Sequence, residues 1–454
     1  MSKFLYGASI QGIQDFIFKT NKLKEIIGAS EIVKKFDDIK FKEEYNLSEE
    51  PEVLLQAAGN IRLILNNESD LEKLVRSFSK NIMLEAYGIT ISQAVVKYED
   101  YKKDSKELEK RLKIQRNKVS LPLDSNFNIL KQNSRTALPL VDKENDKATL
   151  QKIREFEKFV KEQIKENRKT IFDIEKLSNN KNKIAIIHAD GNGLGNIVKD
   201  LNESEIVKFS KKLEEATIKA FKVASEGIDN IRKVILGGDD LTVIIDANEA
   251  LSFTKKFLEE FEKNTKNIYK DKSLTACAGI AYCNEKYPFH YAVKLSEDLC
   301  KQAKTDSKKI DTILPPSSLM FHNIQSSNVD SFSKFIDDEL TIGDTRCDFG
   351  PYYLHKQLNK PTIEIFEGVL NDFRIENAPK GRLREWLSDL NFDNTYAQNQ
   401  LDRIKEVSKD KWNSENLGKL YDGLKIDKLI VSKDGFRKTP IYDILQILSV
   451  EDEK

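Results

Sequence analysis

The chain has 454 residues, too many for one ordinary hydrophobic core, and its length predicts two to four domains. Its 74 basic and 74 acidic side chains balance, which argues against binding to nucleic acid through bulk electrostatics. No apolar run has the form of a signal peptide or a membrane helix, and the four cysteines form no CxxC pair. We therefore expect a cytoplasmic protein with no membrane contact, no zinc ribbon and no disulfide framework.

The first hundred residues alternate between strand-like and helix-like patterns. The predicted elements are a strand at 4–9, a helix at 13–33 interrupted at Gly28, a hairpin within 52–65, a helix at about 70–87 and the strand "ITISQAVVKY". We place a first domain at residues 1–101. Lys and Glu dominate residues 102–182, which we interpret as a helical linker region with solvated faces.

A second set of elements begins at residue 183. The predicted elements are the strand "KIAIIHA", the turn "DGNGLG", a helix with apolar positions from Ile206 to Ala220, the hairpin "VILGGDDLTVIID", a helix at about 247–269, the strand "LTACAGIAY" and a helix carrying Ala292 and Leu299 on its apolar face. This order predicts a mixed sheet covered by helices on one side. We place this domain at 183–312 and a mainly helical domain at 313–454.

The two sets share one element order, which indicates an internal duplication. The segment "VLLQAAGNIRLIL" aligns with "VILGGDDLTVII", so that Ala57, Ala58, Gly59 and Asn60 stand opposite Gly237, Gly238, Asp239 and Asp240. Ser9, Ile10 and Gln11 likewise replace Asp190, Gly191 and Asn192. The first copy has therefore lost the carboxylates, while its hairpin pattern remains.

Two adjacent carboxylates, Asp239 and Asp240, lie between buried strands, where their mutual repulsion is costly. Alone, the pair is more typical of a solvated Gly-Asp turn than of a functional site. Asp190 also ends an apolar strand, and the neighbouring strand would bring it beside the hairpin. Three converging carboxylates are the oxygen ligands that Mg²⁺ prefers, so the sequence predicts a metal site.

The glycine-rich turn that follows Asp190 would let backbone N–H groups approach a triphosphate. Lys304, near the end of the last helix, is a candidate point charge for the same phosphates, although an ordinary surface lysine is the simpler interpretation of its spacing. The nucleotide-binding candidates are Asn192, Gly193, Leu194, Gly195, Gly237, Gly238 and Lys304.

The motifs "ADGNGLG" and "GGDD", followed by "LTACAGIAYCNEKYPFHYAVKLSEDLCKQAK", resemble the nucleotidyl-cyclase palm (GGDEF-like) family. The resemblance is closer to the large two-palm, cyclic-oligoadenylate-synthesising subunit of type III CRISPR effector complexes. "GASIQGIQDFIF" is similar to that subunit's degenerate first palm. The resemblance implies an α+β fold with two ferredoxin-like palm domains, here called the first palm (1–101) and the second palm (183–312).

The resemblance also implies roles for residues. Asp190, Asp239 and Asp240 would be catalytic and would bind Mg²⁺ or Mn²⁺ together with the carbonyl of Gly191. Lys304 would bind phosphate. Val198 stands where guanine-using cyclases carry a base-reading Asn, which favours ATP. No histidine is followed by Asp, and the linker contains no cysteine, so we expect a stripped form without the family's HD nuclease and zinc finger.

The function that follows is conversion of ATP to a cyclic oligonucleotide with release of pyrophosphate, in CRISPR-type or related antiviral defence. The first palm would hold the acceptor ATP near Ser9 and Gln11, or would be a relic scaffold. A catalytically silent nucleotide or nucleic-acid sensor and a palm-type polymerase are the alternatives. An RNA or protein activator, a downstream effector and a homo-oligomer remain open as partners.

Overall fold

The computed structural model describes residues 3–57, 59–118, 129–165, 174–325, 331–390, 394–409 and 411–453. Ala58, one of the four residues aligned with the Gly-Gly-Asp-Asp turn, lies outside this description. The fold is α+β with two palm sheets, as the sequence predicts. Among the described helices, none has the length and apolarity that crossing a membrane requires.

The first palm contains the predicted strands and hairpin. Its elements are β1 (Lys3–Gln11), α1 (Ile13–Phe18), α2 (Leu23–Lys35), α3 (Phe41–Tyr45), β2 (Glu52–Ala57), β3 (Asn60–Leu65), α4 (Glu68–Glu85) and β4 (Thr90–Tyr98). The sheet is antiparallel with the order β2-β3-β1-β4. The alternating Tyr6, Ala8 and Ile10 face the core beneath α2 and α4, because successive strand residues point to opposite faces.

Two long helices follow, α5 (Tyr101–Arg116) and α6 (Lys147–Lys165), and a short 3₁₀ turn covers Ile174–Lys176. Helix α5 packs on β1 and β4, where Leu108 and Leu112 are buried against Leu5. Helix α6 packs along α2. Because α5 covers a face of the first sheet, we propose that the first palm extends to Arg116, past the boundary at residue 101 suggested by charge.

The predicted helix interruption at Gly28 is wrong. The chain breaks between α1 and α2, at residues 19–22, and Gly28 lies within α2. An added Cβ at Gly28 would lie 1.8 Å from the backbone oxygen of Lys152 in α6. The glycine therefore permits close contact between two helix backbones, a role that a sequence pattern cannot distinguish from a helix break.

We expect the substitution Gly28→Ala to lower the free energy of unfolding by about 3 kcal/mol, since the backbone that it meets cannot move aside locally. The matched control is Gly381→Ala, where an added Cβ in a helix would meet nothing within 4 Å. That variant should be unchanged or more stable by at most about 1 kcal/mol. Urea denaturation followed by circular dichroism compares them, and equal stabilities would contradict the proposed close packing.

The second palm has the predicted β-α-β-β-α-β-α order. Its elements are β5 (Lys183–Gly191), α7 (Leu194–Asp200), α8 (Glu203–Ala224), β6 (Ile231–Gly237), β7 (Asp240–Asp246), α9 (Ala250–Asn264), β8 (Ala276–Asn284) and α10 (Phe289–Ser307). These four strands lie in the order β8-β5-β7-β6, which matches the first palm's β4-β1-β3-β2. The duplication seen in the sequence is therefore also present in the sheet topology.

The expectation of helices on one side only is wrong. Ala185 and Ile187 of β5 face a core with α8 and α9, whereas Ile184 and Ile186 face a core with α10 and the first palm. Both faces of the second sheet are therefore covered. The sequence shows this in β5 and β8, whose nearly continuous apolar runs are typical of strands buried on both sides.

The region after residue 312 is mainly helical but also extends the second sheet. Its elements are β9 (Ser318–Asn323), α11 (Phe332–Glu339), β10 (Thr341–Ile342), β11 (Thr345–Arg346), β12 (Tyr352–Tyr353), α12 (Ile363–Arg374), α13 (Lys380–Asp389), α14 (Asn394–Ser408), α15 (Asn416–Leu420), β13 (Val431–Lys433), β14 (Phe436–Lys438) and α16 (Ile441–Val450). Strand β9 pairs in parallel with β8, and β12 pairs with β9. A small separate sheet has the order β10-β11-β14-β13.

The two palms share one hydrophobic core. Phe16 and Ile26 of the first palm belong to the same buried cluster as Ile186, Leu295 and Leu299 of the second. On the opposite face of the second sheet, α12, α13 and α16 join the core of α8 and α9. The second palm is thus packed between the first palm and the C-terminal helices.

A buried carboxyl group lies where α16 meets the strand region. Asp443 accepts hydrogen bonds from the Tyr352 hydroxyl (2.7 Å) and from the backbone N–H groups of Phe349 (3.2 Å) and Gly350 (3.3 Å). Burial nevertheless raises the pKa of Asp443 to about 7, and the neighbouring Asp348 contributes to the increase. The folded protein therefore favours the protonated form of this carboxyl.

Because the folded pKa of Asp443 is higher than the unfolded value, its contribution to stability is complete below about pH 4 and is lost as the pH rises through about 7. We expect Asp443→Asn to remove roughly 2 kcal/mol of the stability decrease between pH 5 and pH 8. Thermal unfolding at several pH values measures this. Asp338→Asn, on the exposed side of α11, is the control and should keep the wild-type slope.

Candidate active site

The strand register places the predicted carboxylates next to each other. Ala189 of β5 pairs with Leu241 of β7, so the following residue, Asp190, comes opposite Asp240 at the sheet edge. Gly237 pairs with Asp240 across a two-residue turn made of Gly238 and Asp239. Gly238 has a φ of 60°, a conformation that glycine adopts without strain.

Helix α8 fixes this turn from the other side. The Thr217 hydroxyl donates a hydrogen bond to the Gly238 carbonyl (2.7 Å) and also contacts the Leu213 carbonyl (2.9 Å). Thr217 is completely buried, so the hairpin tip is attached to a rigid helix. The positions of Gly237 and Gly238 thus serve the geometry of the turn.

The three carboxyl groups lie close enough to affect one another. Asp239 packs against Gly191, where an added Cβ would lie 2.9 Å from the Asp239 carboxylate oxygen Oδ2. Burial, then Asp240 and Asp190, raise the pKa of Asp239 well above its usual value. Burial and then Asp190 raise the pKa of Asp240 to about 7. A positive charge at this cluster would favour its ionised form.

Lys304 supplies one such charge. Its ammonium group contacts the Asp190 carboxylate and donates a hydrogen bond to the Gly191 carbonyl (2.8 Å). Burial alone would lower the pKa of Lys304, but the contact with Asp190 raises it above its ordinary value. The Asp190 carboxylate therefore holds Lys304 at the site. The simpler interpretation of Lys304 as an ordinary surface lysine does not explain this contact.

The donor set fits a divalent cation. It offers three carboxylates and the Gly191 carbonyl, and oxygen is the donor that Mg²⁺ and Mn²⁺ prefer. One ligand atom each from His188, Asp190 and Asp240 lies within 4.8 Å of the other two. Burial lowers the pKa of His188 to about 4. His188 was not predicted as a site residue, although its i, i+2 spacing from Asp190 on a strand predicts a shared face.

Asn192, a nucleotide-binding candidate in the glycine-rich turn, makes its side-chain hydrogen bonds within the protein. The Asn192 side chain is buried, and its amide nitrogen Nδ2 donates to the Thr275 hydroxyl (3.2 Å) and the Pro315 carbonyl (3.2 Å). Its backbone N–H donates to the Thr275 carbonyl (2.8 Å). These hydrogen bonds attach the turn to Thr275, just before β8, and to the loop before β9, so the Asn192 side chain anchors the turn.

The other residues of this turn divide into two kinds. Leu194 is buried beneath the turn, and Gly193 begins α7 with a φ of 70° close to the Ile313 carbonyl. Gly195 has open space around it. Val198 packs between two apolar clusters. Gly195 thus leaves the backbone accessible and Gly193 permits close approach of the loop at Ile313, while the side chains of Leu194 and Val198 serve packing.

The first palm retains the same register without the charges. Ser9 pairs with Asn60, and Ala57 pairs with Asn60, as Gly237 pairs with Asp240 in the second palm. The Ser9 hydroxyl lies 3.3 Å from the Asn60 Oδ1. Gln11 donates to the Ser92 hydroxyl (3.0 Å). The sequence alignment of the two hairpins is therefore confirmed at the described residues.

Arg116 is a residue that the sequence analysis missed. Its guanidinium donates a hydrogen bond to the Ser9 hydroxyl (2.9 Å). Arg116 and Lys304 each lie fifteen positions after the start of their helices, Tyr101 and Phe289. Each presents a cation to the end of the first strand of its palm. Aligning "YKKDSKELEKRLKIQR" with "FHYAVKLSEDLCKQAK" would have revealed this equivalence.

A cleft between the palms leads to the carboxylates. Its volume is about 720 Å³. Strand β6, together with Asp240 and Thr242 of β7, forms much of its wall on the second palm, and α1 and α2 line the opposite side. Glu297 of α10 lies near Asp240 and Asp15, and burial raises the pKa of Glu297 to about 7. Its Oε1 has no hydrogen-bond partner among the described residues. The acidic character of the site therefore extends toward the first palm.

Comparison with known proteins agrees with this geometry. Residues 183–313 match the family model described as Cas10/Cmr2, second palm domain. The predicted resemblance is confirmed. A search of the curated proteins finds no match.

Solved structures support the fold over nearly the whole chain. A Csm1-Csm4 cassette in complex with pppApApA aligns with a TM-score of 0.56 and 12% identity over 98% of this chain and 69% of that chain. A cassette in complex with pppApA gives 0.55 and 14% over 99% and 69%. The Csm1-Csm4 subcomplex of the type III-A CRISPR-Csm interference complex gives 0.47 and 14% over 67% and 53%. The chain thus spans about half to two thirds of the length of these neighbours.

Proposed function

We propose that the chain is a metal-dependent nucleotidyltransferase that joins ATP molecules into a cyclic oligonucleotide and releases pyrophosphate. The observation that carries the proposal is the convergence of Asp190, Asp239 and Asp240 beside Lys304, at a cleft between two palms. The match of residues 183–313 to the Cas10/Cmr2 second palm supports it. Structural neighbours in complex with cA3, cA4 and pppApA also support it.

In the proposed reaction, a ribose hydroxyl oxygen of one ATP forms a bond to the α-phosphorus of another. The bond between that phosphorus and the bridging oxygen to the β-phosphate breaks, pyrophosphate leaves, and the hydroxyl proton is released. Asp190 and Asp240 would hold Mg²⁺ or Mn²⁺ with Asp239 and the Gly191 carbonyl. The bound metal would supply charge neutralisation on the attacking and leaving oxygens.

The remaining roles belong to side chains and backbone of the chain. Lys304 would move its ammonium from Asp190 to the phosphates of the donor ATP, a shift that needs only rotation of a flexible stem. The Gly193 and Gly195 backbone would allow close approach of the triphosphate. Thr217 would keep the hairpin tip fixed, so that Asp239 and Asp240 do not separate under their own repulsion.

The first palm would position the acceptor ATP. Arg116 beside Ser9 supplies a cation where the second palm has Lys304, so a phosphate could bind there without carboxylates or a metal. Gln11, at the end of the same strand, would add a polar contact. This asymmetric pair of sites would assign the chemistry to one palm and the positioning of the attacking hydroxyl to the other.

The proposed setting is CRISPR-type or related antiviral defence, with an RNA or protein activator and a downstream effector that binds the product. The Csm1 chains in the neighbouring structures are described in complexes with Csm4, which supports a protein partner for this chain as well.

Incubation of the purified protein with each nucleoside triphosphate and Mg²⁺ or Mn²⁺, followed by mass spectrometry, tests the proposal. We expect cyclic or linear oligoadenylates from ATP and none from the Asp239→Ala variant. The reaction is run with and without added RNA, since an activator is part of the proposal. ATP binding without product under all these conditions would favour a silent sensor, and template-dependent primer extension would favour a polymerase.

A further inference from the structure

His188 lies beneath the carboxylates on the same face of the second sheet. It precedes Asp190 by two residues on β5, and side chains at this spacing point to one face of a strand. Thr242 lies directly opposite His188 in the register, at the wall of the cleft. A ring nitrogen of His188 and one oxygen each of Asp190 and Asp240 all lie within 4.8 Å of one another.

These separations suit three ligands of one ion. Ligand atoms about 2.0–2.2 Å from a metal lie roughly 3 to 4.4 Å apart, so small side-chain rotations would bring all three onto it. The ring orientation is already set, because His188 Nδ1 lies 3.3 Å from the Thr242 hydroxyl. A hydrogen bond from one ring nitrogen, leaving the other free, is the usual support of a metal-binding histidine.

The His188 ring has few other polar neighbours. His188 is only 8% exposed, and its neighbours on this face, Ile186 and Ile244, belong to the shared hydrophobic core. A histidine used only for packing could be replaced by an apolar residue of similar size at no electrostatic cost. Its position at the boundary between this core and the carboxylates is instead suited to a ligand.

We propose that His188 is a metal ligand, so that the second palm holds its cation in a His–Asp–Asp set rather than an all-oxygen set. An imidazole nitrogen is a poor donor for Mg²⁺ and an acceptable one for Mn²⁺ and later transition metals. The site therefore selects Mn²⁺ over Mg²⁺. The inference shares its metal site with the proposed function but is tested by binding alone.

The experiment is pulsed electron paramagnetic resonance of Mn²⁺ bound to the full chain, with and without a non-hydrolysable ATP analogue. We expect ¹⁴N modulation from a directly bound nitrogen in the wild type and its loss in His188→Leu. Mn²⁺ affinity should fall about tenfold or more in that variant, while Mg²⁺ affinity changes by less than about twofold. His290→Leu, on the exposed surface of α10, is the matched control and should keep both.

A variant-free measurement covers the case in which His188→Leu does not fold. Labelling the wild type with ¹⁵N-histidine should replace the ¹⁴N modulation by the ¹⁵N pattern. Persistence of the ¹⁴N signal in the sample without the nucleotide analogue would assign the nitrogen to another residue and would overturn the proposal.

The remaining outcomes separate the two proposals. Mn²⁺ bound without nitrogen modulation, or no Mn²⁺ binding even with the analogue, would overturn the role of His188. Oligoadenylate synthesis together with absent nitrogen modulation would leave the proposed function intact and refute this inference. Nitrogen modulation without any product would support the ligand and refute the enzyme.

Discussion

The Asp240→Asn variant should make no detectable product from ATP and should also be more stable than the wild type without metal. Loss of a metal ligand removes several kcal/mol of transition-state stabilisation, which corresponds to a fall of about 1000-fold or more. Asparagine also removes a carboxyl whose pKa burial and Asp190 raise to about 7. Since ionisation of this group costs stability above that pH, the variant should gain roughly 2 kcal/mol at pH 8.

Product analysis and thermal unfolding, each with and without Mg²⁺ or Mn²⁺, measure both effects. The metal should raise the melting temperature of the wild type and have little effect on the variant. Asp229→Asn, in the exposed turn before β6, is the control and should behave like the wild type. Full activity in Asp240→Asn, or an unchanged response to metal, would contradict a role for Asp240 as a ligand.

Replacing Lys304 by methionine should separate metal binding from turnover. In the wild type, the Lys304 ammonium group contacts the Asp190 carboxylate and the Gly191 carbonyl, which are two of the proposed metal ligands. Without it, Mn²⁺ should bind more tightly in the absence of nucleotide. Product formation should nevertheless fall by about 100-fold, because the donor phosphates lose their fixed cation. Methionine preserves the packing of the stem, so this change tests the charge.

This variant should also be less stable than the wild type without metal, the opposite of Asp240→Asn, because the carboxylates lose their positive neighbour. Metal titration, product analysis and thermal unfolding provide the three measurements. Lys301→Met removes an exposed lysine of the same helix and should change none of them. If Lys304→Met resembles this control, Lys304 is an ordinary surface lysine.

The sequence predicted the parts of the site that depend on strand periodicity. Strand patterns located both hairpins, aligned Ser9 with Asp190, and predicted that a neighbouring strand brings Asp190 beside Asp239 and Asp240. The register of β5 and β7 agrees with this placement. The elements of the two sheets and their order along the chain followed from the same patterns, whereas the order of the strands within each sheet came from the structure.

Features that depend on contacts between distant segments were missed. The charges of α5 indicated a linker, yet Leu108 and Leu112 are buried on the first sheet. Gly28 was interpreted as a helix break because its actual role, close contact with Lys152, joins residues far apart in the chain and leaves no local pattern. The anchoring role of the Asn192 side chain was missed because its buried partners, Thr275 and Pro315, lie far from it in the chain. Propensity and spacing carry no information about such long-range packing.

The core shared by the two palms explains why a copy without carboxylates would be retained. Removing the first palm would expose the apolar face of α10, including Leu295 and Leu299, together with one face of the second sheet. The second palm is therefore expected not to fold on its own, which gives a physical reason to keep the first palm even without its carboxylates. Such a joint core also resists hinge-like opening between the palms, so in the proposed function nucleotides would enter and leave the cleft through rearrangements of side chains and loops.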